Sequence, residues 1–246
     1  DGKKEIFVAL YGNNGNGGSV KGYEIDKNAK LNEVWNADQY NGQRPYGSDV
    51  RDVKVGDLDG DGLQEIIFFR GRWYDDDDKA GIYIYEWDGV VGSDNYGTTY
   101  ASVCQVEIDQ CCAGDGAGKA SYGASFRGDH DRLTIVDIDG DGREEFVQHI
   151  RRGSPRGTLV YSLADGDELV SGSGGGLETW TTEFWIDYSD YGGGHPLHAL
   201  PADLNGDGHY EVINHNMSAM NFYNFTSTDT GFAAPVVGST DSYYKE

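Results

Sequence analysis

Asp57-Leu-Asp-Gly-Asp-Gly-Leu-Gln-Glu65 is the stretch from which the rest of this chain is read, because it is written three times. It recurs as Asp137-Ile-Asp-Gly-Asp-Gly-Arg-Glu-Glu145 and as Asp203-Leu-Asn-Gly-Asp-Gly-His-Tyr-Glu211. A half copy opens the chain, where Asp1-Gly2-Lys3-Lys4-Glu5 aligns with Asp61-Gly62-Leu63-Gln64-Glu65 and an apolar run follows in both.

The chemistry of the loop points to calcium. Calcium is a hard cation that takes six to eight oxygen ligands, and carboxylates at alternate positions of a tight loop converge on one point. In the first loop these are Asp57, Asp59 and Asp61, with the Leu63 carbonyl and Glu65 available to complete the shell. The second loop offers Asp137, Asp139, Asp141, the Arg143 carbonyl and Glu145; the third offers Asp203, Asn205, Asp207, the His209 carbonyl and Glu211. Asn205 removes one negative charge, so the third site is expected to be the weaker. The half copy contributes Asp1, Lys3 and Glu5 to a fourth, truncated site. Glycines between the acids permit backbone angles that a side chain penalises. An EF-hand is excluded, because its bidentate Glu stands at position twelve between helices, whereas position twelve counted from Asp57 is Phe68, inside an apolar run. Asp-Gly pairs are also ordinary turn residues. Three copies with an acid at position nine favour the ligand reading, and magnesium fits less well because it prefers rigid octahedral sites that retain water.

The 246 residues suit one large β domain or two small ones. No apolar run approaches the length of a membrane span. The formal charge is −23; three calcium ions would leave it at roughly −17, a surface that repels nucleic acid and anionic lipid. Asp75-Asp-Asp-Asp78 is read as a solvated loop. Cys104, Cys111 and Cys112 lie in one segment: Cys104 could bridge to either of the others, the odd thiol could pair with a partner, and zinc is the weaker reading because spacing places no fourth ligand. Two N-glycosylation acceptors, Asn216-Met-Ser218 and Asn224-Phe-Thr226, together with calcium loops and possible disulfides, point to an extracellular location. The chain starts inside a repeat, so a signal or earlier repeats are expected to precede Asp1.

Asp-Gly pairs at residues 1, 61, 141 and 207 define a repeat with intervals of 60, 80 and 66. Within it, short alternating runs are separated by turn residues. In the second repeat the expected strands are 50–55, 65–70, 81–87 and 100–108; in the third they are 133–136, 145–150, 158–163 and 179–186, and no amphipathic helix is found. Four strands per repeat is the pattern of a β-propeller blade, whose small sheets must stack on one another to bury their faces. The expected fold is therefore all-β, a propeller or incomplete propeller of four-stranded antiparallel blades at 1–45 (truncated), 46–121, 122–190 and 191–246, with every loop between first and second strands.

The acidic loop followed by an apolar strand resembles the FG-GAP/VCBS repeat of integrin α-subunit propellers and many secreted proteins. Tyr46-Gly47, Tyr122-Gly123 and Tyr191-Gly192 stand where the family has its aromatic-Gly element, with tyrosine in place of phenylalanine, and Gly153-Ser-Pro155 stands where it often has Gly-Ala-Pro. The resemblance implies calcium at the loop residues named above and a non-catalytic adhesive or structural module. It also implies seven blades, whereas three full loops and a half are present. Missing blades or other protein subunits are thus expected to cover the exposed sheet faces.

Other activities are less well supported by the residues. No Gly-x-Ser-x-Gly elbow occurs. Ala113–Ala120 lacks the leading Gly and the Ser/Thr of a phosphate loop. His195, His198, His209 and His215 could form a second metal site or an acid/base pair, but ordinary strand and loop roles suit them better. A propeller belonging to a polysaccharide-processing enzyme is one alternative. A lectin is another, with Trp35, Trp73, Trp87, Trp180 and Trp185, and many tyrosines, available to stack on glycans, although blade packing explains most of them better. Arg127-Gly-Asp129 is an integrin-binding tripeptide only if it sits at an exposed loop tip, and Arg151, Arg152 and Arg156 are expected to pair with nearby carboxylates.

Overall fold

The apolar run behind each acidic loop is a strand, and in the second repeat it is buried on both faces. Ile66, Ile67 and Phe68 of Glu65–Arg70 are all inaccessible to solvent, as a continuous rather than alternating apolar sequence demands. Glu5–Leu10 behaves differently: Phe7 and Ala9 turn inward while Ile6 and Val8 face solvent.

The computed structural model describes residues 3–10, 19–37, 50–70, 81–100, 132–150, 157–163, 169, 180–187, 196–204, 206, 210–216, 220–224, 227–228, 231–232 and 236–237. Every element delimited among them is a β-strand, and all pairings are antiparallel. The first sheet joins β1 (Glu5–Leu10), β2 (Ser19–Ile25) and β3 (Leu31–Asn36). The second joins β4 (Val50–Gly56), β5 (Glu65–Arg70), β6 (Gly81–Trp87) and β7 (Tyr96–Tyr100); the third, β8 (Arg132–Val136), β9 (Glu145–Ile150), β10 (Gly157–Leu163) and β11 (Trp180–Asp187). The fourth orders β12 (Pro196–Ala202), β13 (Glu211–Asn216), β14 (Met220–Asn224) and β17 (Val236–Val237), with a small hairpin of β15 (Ser227–Thr228) and β16 (Gly231–Phe232) inserted before its last strand. Each is a meander in chain order. The strand entering each acidic loop lies against the sheet before it: β4 against β1, β8 against β4, and β12 against β8 and β9.

The expected strands of the second and third repeats appear within a residue of their limits, with one correction. The fourth strand of the second sheet begins at Tyr96 rather than at 100 and is described as Tyr96–Tyr100; 101–108 lie outside the described residues. The chain turns earlier because Asp88 builds a compact turn: its carboxylate accepts from Val90 N (2.9 Å) and Ser93 Oγ (2.8 Å), and its own N–H reaches Asn95 O. The segment holding Cys104, Cys111, Cys112 and Arg127-Gly-Asp129 lies outside the described residues, as do Asp75–Asp78, Arg151, Arg152 and Arg156.

The best-defined core lies between the first and second sheets. Val20, Trp35 and Ala37 meet Val50, Ile66, Phe68, Tyr85 and Tyr96, with Phe7 packed alongside. Trp35 is its centre, in edge-on contact with Phe7, Tyr85 and Tyr96 at centroid distances of 6.0, 5.2 and 5.7 Å. Its indole N–H is satisfied by the Tyr96 carbonyl at 3.3 Å. Such edge-to-face pairs add about 0.5–1.5 kcal/mol each beyond the area they bury, so this tryptophan is a packing residue, as a β-rich fold requires.

Candidate metal centre

The first acidic loop is wound around its own carboxylates. Asp57 accepts from Gly60 N (2.8 Å) and Gly62 N (3.0 Å), Asp59 from Asp61 N (3.2 Å), and Asp61 from Leu63 N (2.6 Å). Gly60 and Gly62 have φ of 76° and 88°, angles that L side chains rarely adopt, which is why the acids alternate with glycine. Glu65, at the start of β5, turns back beneath the loop and accepts from Leu58 N at 2.6 Å. The second loop repeats this bond for bond: Asp137 with Gly140 and Gly142, Asp139 with Asp141, Asp141 with Arg143, and Glu145 with Ile138 at 2.7 Å.

One carboxylate oxygen from each of Asp57, Asp59 and Asp61 lies within 4.8 Å of the others, and the same holds for Asp137, Asp139 and Glu145. Glu65 is 0% exposed, and its Oε1 has no hydrogen-bond partner. Burial, reinforced by the Asp59, Glu86 and Asp57 carboxylates, pushes its pKa up to about 9 against the opposing Leu58 N–H. Glu145 is pushed up to about 9 in the same way, by burial and then by Asp139, Asp141 and Asp137. Asp59 is also raised, chiefly by burial. A buried carboxylate oxygen lacking a donor, facing a cluster of like charge, is what an oxygen-ligated divalent cation would satisfy, so the donor set fits calcium.

Of the third loop, the Gly206 N–H to Asp203 Oδ1 bond is described, at 2.6 Å. Asn205, Asp207 and His209 lie outside the described residues, and Glu211 is placed by its backbone at the start of β13. In the half copy Asp1 lies outside the described residues, while the Lys3 ammonium pairs with Glu24 at 2.7 Å. His198 and His215 are register partners across β12 and β13, and His195 is outside the described residues. The sequon residues Asn216 and Asn224 fall within strands β13 and β14 rather than in loops. Asn224 pairs in register with Glu211, the place that Glu24 holds opposite Glu5 and Glu86 opposite Glu65.

Several residues that shape these sites carry no motif. Glu144 accepts from Asp57 N at 2.6 Å while its own N–H reaches Asp57 O at 3.1 Å. Arg143 Nε donates to Asp59 O at 3.0 Å. Leu169 N, from the connection between β10 and β11, donates to Asp59 Oδ2 at 2.7 Å. The second loop is therefore clasped onto the first. Glu24 and Glu86 were missed as well, although a signal exists: both follow a tyrosine and precede an apolar residue, Tyr23-Glu24-Ile25 and Tyr85-Glu86-Trp87.

No protein-family model matches the chain, and no curated protein matches it. Among solved structures it is similar to one described as the structural basis of recognition of non-reducing terminal N-acetylglucosamine by a lectin from Agrocybe aegerita, at 15% identity and a TM-score of 0.48. The likeness covers 96% of this chain, which spans 52% of that one.

Proposed function

We propose that this chain is a calcium-stabilised β-repeat module of the FG-GAP/VCBS kind, a propeller or part of one, working outside the cell as a non-catalytic structural or adhesive element. The observation that carries the reading is the duplicated loop: two segments 80 residues apart wind around their acids through matching hydrogen bonds and bring three carboxylates of each together, each above a buried glutamate pushed up to about 9. Such glutamates destabilise an ion-free fold at neutral pH and suit an ion-loaded one. Asp57, Asp59, Asp61 and Glu65 would hold one ion, Asp137, Asp139, Asp141 and Glu145 a second, and Asp203, Asn205, Asp207 and Glu211 a third, with the Leu63, Arg143 and His209 carbonyls as neutral ligands. When bound, calcium supplies the positive charge that lets these carboxylates converge. The successive contacts β1–β4, β4–β8 and β8–β12 support a propeller-like arrangement of sheets.

Partners are proposed from the first sheet. Ile6, Val8, Ile25 and Leu31 are all exposed there, and the pairings Ile6–Tyr23, Val8–Lys21 and Ile25–Leu31 put them on one face. A further repeat or another subunit would cover it. No helix among the described residues is long and apolar enough to cross a membrane.

Thermal unfolding with and without chelator tests the calcium reading. At free calcium one hundred times Kd, each site contributes about 2.7 kcal/mol, or roughly 5–11 °C in Tm for a domain of this size. Chelation should therefore lower Tm by at least that for one site. An unchanged melting curve would overturn the proposal.

A further inference from the structure

A third carboxylate group lies where the first sheet meets the second, and most of it belongs to no acidic loop. Glu5 on β1 and Glu24 on β2 are register partners, and Asp94 reaches them from the turn between β6 and β7. One oxygen from each lies within 4.8 Å of the other two. Like charges directly opposite on neighbouring strands are destabilising, and here a third is added from another sheet. Glu24 is 7% exposed; its Oε2 accepts from the Lys3 ammonium, while its Oε1 is buried with no hydrogen-bond partner. Three carboxylates and one ammonium leave two negative charges, the complement of a divalent cation.

We propose that Glu5, Glu24 and Asp94 form a calcium site that ties the first sheet to the second. It shares the calcium chemistry proposed for the loops but takes from them only Glu5 of the half copy. The ligands are all carboxylate oxygens, which suit calcium rather than zinc. Asp94 is anchored through its neighbour in the chain. Trp87 Nε1 donates to the carbonyl of the preceding Ser93 at 2.9 Å, and Ser93 Oγ is fixed by Asp88. Beneath the group, Phe7 and Tyr96 pack edge-on at 5.5 Å, so the ion would sit over the aromatic core joining the two sheets. The third sheet offers a parallel, since its connection between third and fourth strands also reaches back, through Leu169, to an acid of the sheet before it. Lys3 is a mostly exposed side chain, at 55%, and acts as a tethered cation that calcium displaces or supplements.

Calcium titrated into the chelator-stripped full chain, with bound ions counted by equilibrium dialysis, tests this. Asp94→Asn should bind one ion fewer than the parent, and Lys3→Ala should bind the same number with unchanged or tighter affinity. If Asp94→Asn, folded by circular dichroism, binds as many ions as the parent, the inference is overturned and the loop sites stand. Loss of that ion in Lys3→Ala also overturns it. If Asp57→Asn with Asp137→Asn leaves the count unchanged while Asp94→Asn lowers it by one, the intersheet site stands and the loop reading falls.

Discussion

The first and second acidic loops are close to the same object in two settings. Their internal hydrogen bonds coincide, and both rest on a buried glutamate. Against the first, part of the neighbouring repeat is described. The first loop is clasped by Arg143, Glu144 and Leu169 of the next repeat, and Asp59 is consequently only 9% exposed. Its carboxylate serves two masters: Oδ1 closes its own loop through Asp61 N, and Oδ2 receives Leu169 N from another sheet. The proposed ligand set is thus also a joint between repeats.

The largest effect should appear when the central acid of the first loop is removed. Asp59→Ala in calcium costs one ion and strands the N–H of Leu169, which is 1% exposed. A buried donor left unsatisfied costs about 1–3 kcal/mol. Asp59→Ala should therefore destabilise by that much more than Asp61→Ala, which removes an acid of the same loop without touching Leu169, roughly 2–12 °C in Tm. Equal losses in the two variants would show that the clasp is energetically silent.

How far the sequence predicts this molecule can be judged from the same two loops. Each loop's winding was legible, because alternating acid and glycine leave little choice of backbone and the apolar run behind them can only be a strand. The clasp was not. Glu144 occupies position eight, where the other copies have Gln64 and Tyr210, and nothing local marks it as the partner of Asp57, 87 residues away. Nor does position zero announce its role. Gly56 precedes the first loop and Val136 the second; a Cβ at Gly56 would collide with Glu144 Oε2 and come within 2.6 Å of Ile135 Cγ2, so glycine there marks the close approach of two sheets. The start of the next strand at Tyr96 was missed for a related reason: the turn at Asp88 is held compact by side-chain bonds to Val90 and Ser93, which strand periodicity does not register.

A smaller effect should be shared by both loops and so tests what they have in common. Glu65 and Glu145 are pushed from 4.5 up to about 9 without an ion. A carboxyl whose pKa is raised on folding contributes stability that is complete below its unfolded value and is lost as pH rises through the folded one. Chelated protein should lose stability between about pH 4.5 and pH 9, and calcium binding near neutral pH should release protons. Glu65→Gln and Glu145→Gln should each flatten part of that profile in chelator. A chelated protein whose Tm rises steadily over this range would remove the buried-glutamate argument from both loops at once.

The smallest effect isolates the clasp from the charges. Arg143 has two separate jobs by geometry: its backbone N–H closes the second loop on Asp141 at 2.8 Å, while its Nε–H serves Asp59 O of the first. Arg143→Ala keeps the backbone bond and deletes the side-chain bonds to Asp59 O and, at 3.4 Å, to Leu163 O; loss of the Asp59 bond is a change of about 1 kcal/mol. Calcium affinity should fall at the first loop, not at the loop that contains the substitution. On an Asp139→Ala background, which disables the second loop, Arg143→Ala should weaken the remaining first-loop binding by about fivefold, since 1.4 kcal/mol is a factor of ten. On an Asp59→Ala background the second loop should bind calcium unchanged. The reverse pattern would mean that position seven acts within its own loop, and that the two repeats fold around their ions independently.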